Sequence, residues 1–256
     1  MSKLLYGIFV MFLKGKVALV TGSARGIGRA IAWELAEEGA SLVINYLTSK
    51  EAALSVVADI DQQGGQAIAL QADVSTAEGA ARLIKEAGEA FGRIDILVNN
   101  VGPFLEAELA QVSVEDWQYI LATNLHSCFY CCHSALKYMR QLHWGRIINI
   151  AFSGAHYLKA RHRIVPYAIA KTGVLILSKS LAQAEAKNGI TVNVISPGII
   201  DKDDLSEPDR AEWIKRIPAS ALGTPQDISA LVSFLCSDKA SNITGANIVV
   251  SGGWQP

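Results

Sequence analysis

The chain has 256 residues, 50% hydrophobic and 18% charged, with a formal net charge of −1. That length suits one large α/β domain with an ample core, and the near-neutral balance gives no electrostatic case for nucleic acid or an anionic membrane. The densest basic run, Lys159, Arg161, His162 and Arg163, is too short for a nucleic-acid footprint and reads as a solvated loop or an anion-facing rim.

The amino terminus carries an apolar run from Leu4 to Leu13 that is too short to span a bilayer, and no small-residue cleavage site follows it. A second methionine, Met11, stands just ahead of the first strand. Residues 1–10 therefore read as an upstream extension with Met11 as the natural start, and the domain is expected over residues 14–256 after an extension over 1–13.

Strands and helices then alternate. Val17 to Thr21 is a short apolar run of the buried parallel-strand kind. A helix over Ile27 to Glu38 stops at Gly39, strand Ser41 to Tyr46 follows, and helix Lys50 to Gln63 stops at Gly64-Gly65. After strand Ala67 to Gln71, the run Ser75-Thr76-Ala77-Glu78 has the form of a capping box opening a helix through Ala90. Ile94 to Val98 predicts a fourth strand and a loop begins at Asn99. Ser113-Val114-Glu115-Asp116 opens one long helix to about Leu142.

Arg146 to Ile150 is the fifth strand, Tyr167 to Lys187 a helix, and Thr191 to Ile195 the sixth strand. Ser206 to Arg216 reads as a mobile helix. Thr224-Pro225-Gln226-Asp227 combines an N-cap with proline at the first helical position, and strand Asn247 to Val250 closes the chain. No repeat or linker interrupts the pattern. Strand–helix alternation at this spacing means right-handed crossovers in a doubly wound parallel sheet of about seven strands, helices on both faces, in a single Rossmann-type domain.

Cys128 and Cys132 share a helical face, with Cys131, His126 and His133 nearby and Cys236 far away. The histidines form no recognisable ligand set, so no metal is expected and the thiols read as buried and free, which suits a reducing cytoplasm.

Two features carry chemistry. Thr21-Gly22-Ser23-Ala24-Arg25-Gly26-Ile27-Gly28 joins the first strand to the first helix. Its glycines permit a tight turn and let backbone approach a pyrophosphate, while the helix terminus offers free N–H groups. Such a turn also occurs for purely structural reasons; its place after a buried strand favours a nucleotide. Further on, Tyr167 and Lys171 lie one helical turn apart and leave the same helix face. A phenol titrates near about 10, and an adjacent ammonium favours its phenolate, bringing it towards the working range.

These motifs, in this order, resemble the short-chain dehydrogenase/reductase superfamily from Lys14 onward. Its Thr-Gly-x-x-x-Gly-x-Gly turn is met by Thr21 to Gly28, implying cofactor contacts from Gly22, Ser23, Arg25, Gly26, Ile27 and Gly28. Asp73-Val74 matches the pair that contacts adenine. Asn99-Asn100-Val101-Gly102 matches the Asn-Asn-Ala-Gly signature with valine for alanine, and implies Asn100 and Gly102 at the cofactor. Asn124 matches the helix asparagine, Tyr167 and Lys171 the Tyr-x-x-x-Lys pair, and Pro197-Gly198, with Ile200 following, the Pro-Gly after the sixth strand.

Rossmann proteins that take NAD place an acid at the end of the second strand. Here that position reads Asn45-Tyr46, and Arg25 in the turn implies contact with a 2′-phosphate, assisted by Asn45, Ser49 and Lys50. NADP is therefore expected over NAD.

The resemblance implies hydride transfer between the nicotinamide and a carbonyl carbon. Tyr167 is the general acid, Lys171 tunes it and holds the ribose, and Asn124 anchors a relay water. The family's Ile-Ser-Ser is replaced by Ile150-Ala151-Phe152-Ser153, so the expected polarising serine, Ser153, falls one residue late. It points inward if the strand has ended or a bulge intervenes.

The closest branch is the 3-oxoacyl-[acyl-carrier-protein] reductases, with a 3-oxoacyl thioester as the implied substrate. Two departures leave a general ketone reductase as the competitor. His143 and Asn188 stand where that branch carries basic residues, and Lys202 replaces the threonine after Pro-Gly. A third reading is an NADP-sensing protein without turnover. The long helices from Val114 and Tyr167 carry more apolar residues than one buried stripe needs, and the resemblance implies that they pair in a homodimer or homotetramer.

Overall fold

Val17–Val20 (β1) is buried on both faces, a pattern that a strand adopts only inside a sheet covered on both sides. The computed structural model of the protein describes residues 11–201 and 205–255, so residues 1–10 and Lys202 lie outside the described residues. β1 is joined in chain order by Ser41–Tyr46 (β2), Ala67–Gln71 (β3), Ile96–Asn99 (β4), Gly145–Ile150 (β5), Ile190–Pro197 (β6) and Asn247–Val250 (β7). The strands form one all-parallel sheet in the order β3-β2-β1-β4-β5-β6-β7. The expected doubly wound fold is borne out.

The two-residue period of β1 feeds two cores. Ala18 and Val20 pack with Gly26–Glu37 (α1), Lys50–Gln62 (α2) and Pro225–Cys236 (α8) on one face. Val17 and Leu19 pack with Ala77–Phe91 (α3), Ser127–Leu142 (α5) and Val165–Glu185 (α6) on the other. Each fully buried leucine or isoleucine in these layers contributes about 1.5–3 kcal/mol. All four cysteines are buried and free, as expected, and the three on α5 belong to the second core. Leu13 is also buried in the first core, so the packed domain reaches back into the segment expected to be an extension.

Chain direction across the sheet reverses between β1 and β4. The carboxyl ends of those strands open the crevice where ligands of such folds bind. Parallel ladders stop there, leaving backbone groups that side chains must satisfy. Asn45, at the end of β2, is 1% exposed: its Oδ1 accepts from Gly22 N, and its Nδ2 donates to Tyr46, Leu70 and Ala72 carbonyls. It ties β2 to β3 and to the turn after β1. An amide so engaged is part of the frame and has no donor left for the 2′-phosphate expected of it.

The single long helix expected over Val114 to Leu142 is broken. Val114–Leu121 (α4) and α5 are separated by a π-helical turn, Ala122–His126. Thr123 and Ser127 hydroxyls donate back to the Tyr119 and Thr123 carbonyls, and Asn124 Nδ2 donates to Ile120 O at 3.1 Å. Side chains that capture carbonyls in this way compete with the helical ladder and open it by one residue. The cap of α3 also differs: Thr76, one residue on, is the N-cap and accepts from Gly79 N, while Ser75 donates to Asp73 Oδ1 through both its N–H and its hydroxyl. The capping box at Thr224 and Asp227 is present as expected, and Glu207–Arg216 (α7) buries none of its residues.

Replacing Asn45 by alanine removes four hydrogen bonds at once and strands buried backbone groups. The expected loss is about 2–4 kcal/mol of stability, read from the urea midpoint.

Candidate active site

The glycine-rich turn is shaped by φ +61° at Gly22 and +56° at Gly26, a region glycine enters without strain. Gly28 matters for a different reason. A Cβ there would meet Gly22 O and Asn100 Nδ2 at 2.6 Å, so only hydrogen fits where α1 closes on the turn. Asn100 is the clamp: its Nδ2 donates to Thr21 O and Gly22 O, while its N–H and that of Val101 donate to Thr21 Oγ1. Ser23 Oγ, fully buried, donates to Val20 O at 2.7 Å. The turn, Asn100 and Ser23 are thus brought together, with Ile27 in the first turn of α1.

Around this cradle, Arg25 is exposed and its guanidinium makes no ion pair or side-chain hydrogen bond among the described residues. Ser49 is the N-cap of α2, and exposed Lys50 is that helix's first residue. Buried Tyr46 ends β2, and Val74 is buried beside Asp73, whose Oδ1 is occupied by Ser75. On the far side, Gly198 N donates to Val250 O and has no room for a Cβ against Ser251. Pro197 ends β6, and Ile200 is buried in a bridge to Gly223.

The second half of the site lies past the ends of β4 and β5. Lys171 is 2% exposed and its Nζ donates to Ile150 O at 2.8 Å. Asn124, in the π turn, donates to Pro103 O as well as Ile120 O, and its Oδ1 is buried with no hydrogen-bond partner among the described residues. Both groups converge on Gly102, where a Cβ would stand 2.7 Å from Asn124 Oδ1 and from Lys171 Nζ. Gly102 is glycine because the amide and the ammonium fill its flank.

Tyr167 is partly exposed, with Lys171 Nζ 5.8 Å from its ring centre. Burial pushes the phenol up from its ordinary value and brings the Lys171 ammonium down to about 8. The expected lowering of the phenol by its neighbour is therefore outweighed here. The ammonium spends its hydrogen bond on Ile150 O, and desolvation penalises the charged form of each group.

Two rings meet Tyr167 that sequence reasoning missed. Phe104 packs edge-on at 5.2 Å between centres, and Phe152 lies tilted at 5.3 Å. The loops that carry them are tied by the hydrogen bond from Ala107 N to Arg163 O, and Arg163 pairs with Glu106 and Glu108. Part of the basic run is thus spent between loops. Ser153 is differently placed. Its reach depended on the strand ending or bulging; β5 ends at Ile150, but Ala151 N and Ser153 N still donate to Ile195 O and Pro197 O with the spacing of the ladder. Ser153 thus faces away from Phe152, is fully buried, and its hydroxyl has no partner among the described residues. A signal was present in the sequence: Phe152 stands two residues after Ile150, in phase with it.

A bound nucleotide fits these residues. The cradle is one a Cβ would fill, a free guanidinium stands beside it, and an orphaned amide oxygen waits near Lys171. Among the described residues no three His, Cys, Asp or Glu side chains cluster as metal ligands, and no helix is long and apolar enough to cross a membrane.

A family model described as "Enoyl-(Acyl carrier protein) reductase" matches residues 22–255. The chain belongs to the short-chain dehydrogenase/reductase superfamily of NAD(P)-dependent oxidoreductases. It is similar to the "3-oxoacyl-[acyl-carrier-protein] reductase FabG" of Staphylococcus aureus, 40% identical over 241 residues covering 93% of this chain and 97% of the relative. It is also similar to "Glucose 1-dehydrogenase 2" of Bacillus subtilis, 38% identical over 247 residues, or 94% of this chain and 95% of that one. Among solved structures, a short-chain dehydrogenase from Burkholderia cenocepacia in complex with NADP superposes with a TM-score of 0.88 at 33% identity, covering 96% of this chain and all of the other.

The buried Lys171 predicts a pH effect. Its pKa is about 8 in the folded chain and about 10.4 when unfolded, so the unfolded state holds more protons between those values and stability rises with pH across that window. Lys171→Met is expected to flatten that rise in urea midpoints taken from pH 7.5 to 10.

Proposed function

We propose that the protein is an NADPH-dependent ketone reductase in which Tyr167 is the general acid. The observation that carries this reading is the convergence of Tyr167, Lys171, Asn124 and Gly102 at one end of the sheet, beside the glycine cradle. NADPH, when bound, supplies the hydride to the carbonyl carbon. Tyr167 Oη donates the proton to the carbonyl oxygen, giving the alcohol. Lys171, anchored on Ile150 O, positions the cofactor and returns a proton towards the phenol, and Asn124 Oδ1 accepts from a relay water beside Gly102. Gly22, Gly26 and Gly28 admit the pyrophosphate to the start of α1. Arg25, with Lys50, takes the 2′-phosphate; Asp73 and Val74 lie at the adenine, and Pro197, Gly198 and Ile200 border the nicotinamide.

A 3-oxoacyl thioester is a second reading, favoured by the identity to the staphylococcal reductase. Against docking of a carrier protein stands the local charge. Asn188 donates to Glu185, and Arg140 spends its fork on the same carboxylate, whose pKa it holds low. The subunits are proposed to pair through α4, α5 and α6, which leave Val114 (65% exposed), Tyr119, Phe129, Ile169 and Ile176 uncovered.

NADPH consumption with a panel of ketones and 3-oxoacyl thioesters tests the reaction. Tyr167→Phe is expected to lower kcat by about a hundredfold or more. Arg25→Ala is expected to raise the KM for NADPH by about tenfold and leave that for NADH within twofold, as loss of one charge-assisted contact implies. Tight NADPH binding without turnover on any substrate would instead favour a sensor. Light scattering of the wild type is expected to give a dimer or tetramer, and Ile176→Glu a smaller species; a wild-type monomer rules the assembly out.

A further inference from the structure

We propose that Phe152 is the specificity-determining residue of this site, and that it selects a ketone bearing an apolar ring or chain over a polyhydroxy substrate. This deepens the reductase reading and rests on it for the identity of Tyr167 as proton donor.

The backbone decides which side chain meets the substrate. Past the end of β5 at Ile150, hydrogen bonds from Ala151 N and Ser153 N to Ile195 O and Pro197 O keep the spacing of the β5–β6 ladder. Successive side chains therefore keep alternating, so Phe152 and Ser153 take opposite faces. The face that Phe152 takes is that of Tyr167, at 5.3 Å between ring centres. Ser153 takes the other and is 0% exposed.

The ring is also held in place. Phe152 packs against the cluster of Ala151, Ala155, Leu175 and Val194, and the Arg161 guanidinium carbon stands 5.6 Å from its ring centre. Arg161 is itself anchored, donating to Gly154 O at 2.8 Å and to Gln255 Oε1 at 3.4 Å. With Phe104, 58% exposed and edge-on to Tyr167, the proton donor has two phenyl rings for neighbours. Hydroxyl groups laid on phenyl faces lose their water without replacement. An aryl or alkyl group gains contact area on the same surface. Tyr167 is left as the donor that polarises the carbonyl.

Calorimetric titration of the NADP⁺-saturated protein tests this without requiring turnover. The wild type is expected to bind an aryl alkyl ketone at least tenfold more tightly than a free aldose of similar size. Phe152→Ala is expected to erase that ratio, Phe152→Leu to reduce it by about half while keeping the apolar volume, and Ser153→Ala to leave it unchanged. A ratio that survives Phe152→Ala in a protein of unaltered circular dichroism overturns the assignment. So does tighter aldose binding by the wild type, or a tenfold weakening by Ser153→Ala. Ring-dependent binding with no NADPH consumption upholds the assignment and counts against the reductase reading alone.

Discussion

Parallel strands end in a row of backbone groups with no ladder to join, and the site depends on how those ends are closed. Thr21, Asn45 and Asn100 do it. One hydroxyl accepts from two N–H groups of the β4 loop, one amide spans β1, β2 and β3, and a second amide pins the turn from the β4 side. Amides suit this work because each donates and accepts at once. With those ends joined, the start of α1 is aimed into the crevice, and Gly102 is set where Lys171 and Asn124 must flank it. Loss of any one member leaves buried polar groups unpaired, which costs more than the bond itself contributes.

Much of the fold was legible from the sequence because its elements are locally consistent. Apolar runs such as Val17 to Val20 have the continuous burial of a covered parallel strand, and Thr224-Pro225-Gln226-Asp227 caps its helix as the residue types demand. The miscues came from competition between side chains. Ser75 had the right spacing for a cap, but its hydroxyl turns to Asp73 and the helix starts one residue later, at the Thr76 cap. The helix from Val114 had unbroken helical patterning, yet Thr123, Asn124 and Ser127 took carbonyls from its ladder. In the site, the glycine cradle and the Tyr167/Lys171 spacing were readable because each is a short-range pattern. The ring of Phe152 was not, since its place depends on pairing with a strand more than forty residues away.

Burial sets the electrical character of Tyr167 and Lys171. A spacing argument treats the ammonium as a fixed charge that draws a proton off the phenol. In the folded chain desolvation acts on both partners and drives each towards its neutral form, the phenol upward and the ammonium down to about 8. Lys171, 2% exposed, is consequently sensitive to any new charge near it, because little solvent screens the interaction. Asn124 Oδ1 and Lys171 Nζ both flank Gly102.

The π turn at Ala122–His126 amounts to one residue more than a regular helix would use. Each residue turns an α-helix by about 100°, so this extra one sets the phase between α4 and α5. Upstream of it, Ile120 faces inward while Val114 and Tyr119 look out; downstream, Cys128, Cys131 and Cys132 line the core. Removing a single residue there would restore an unbroken helix and swing one half around the other. The outward apolar face would no longer be continuous, and Asn124 would leave the neighbourhood of Lys171. The placing of Asn124 beside Lys171 and the run of the exposed apolar face are therefore indexed by the same inserted residue.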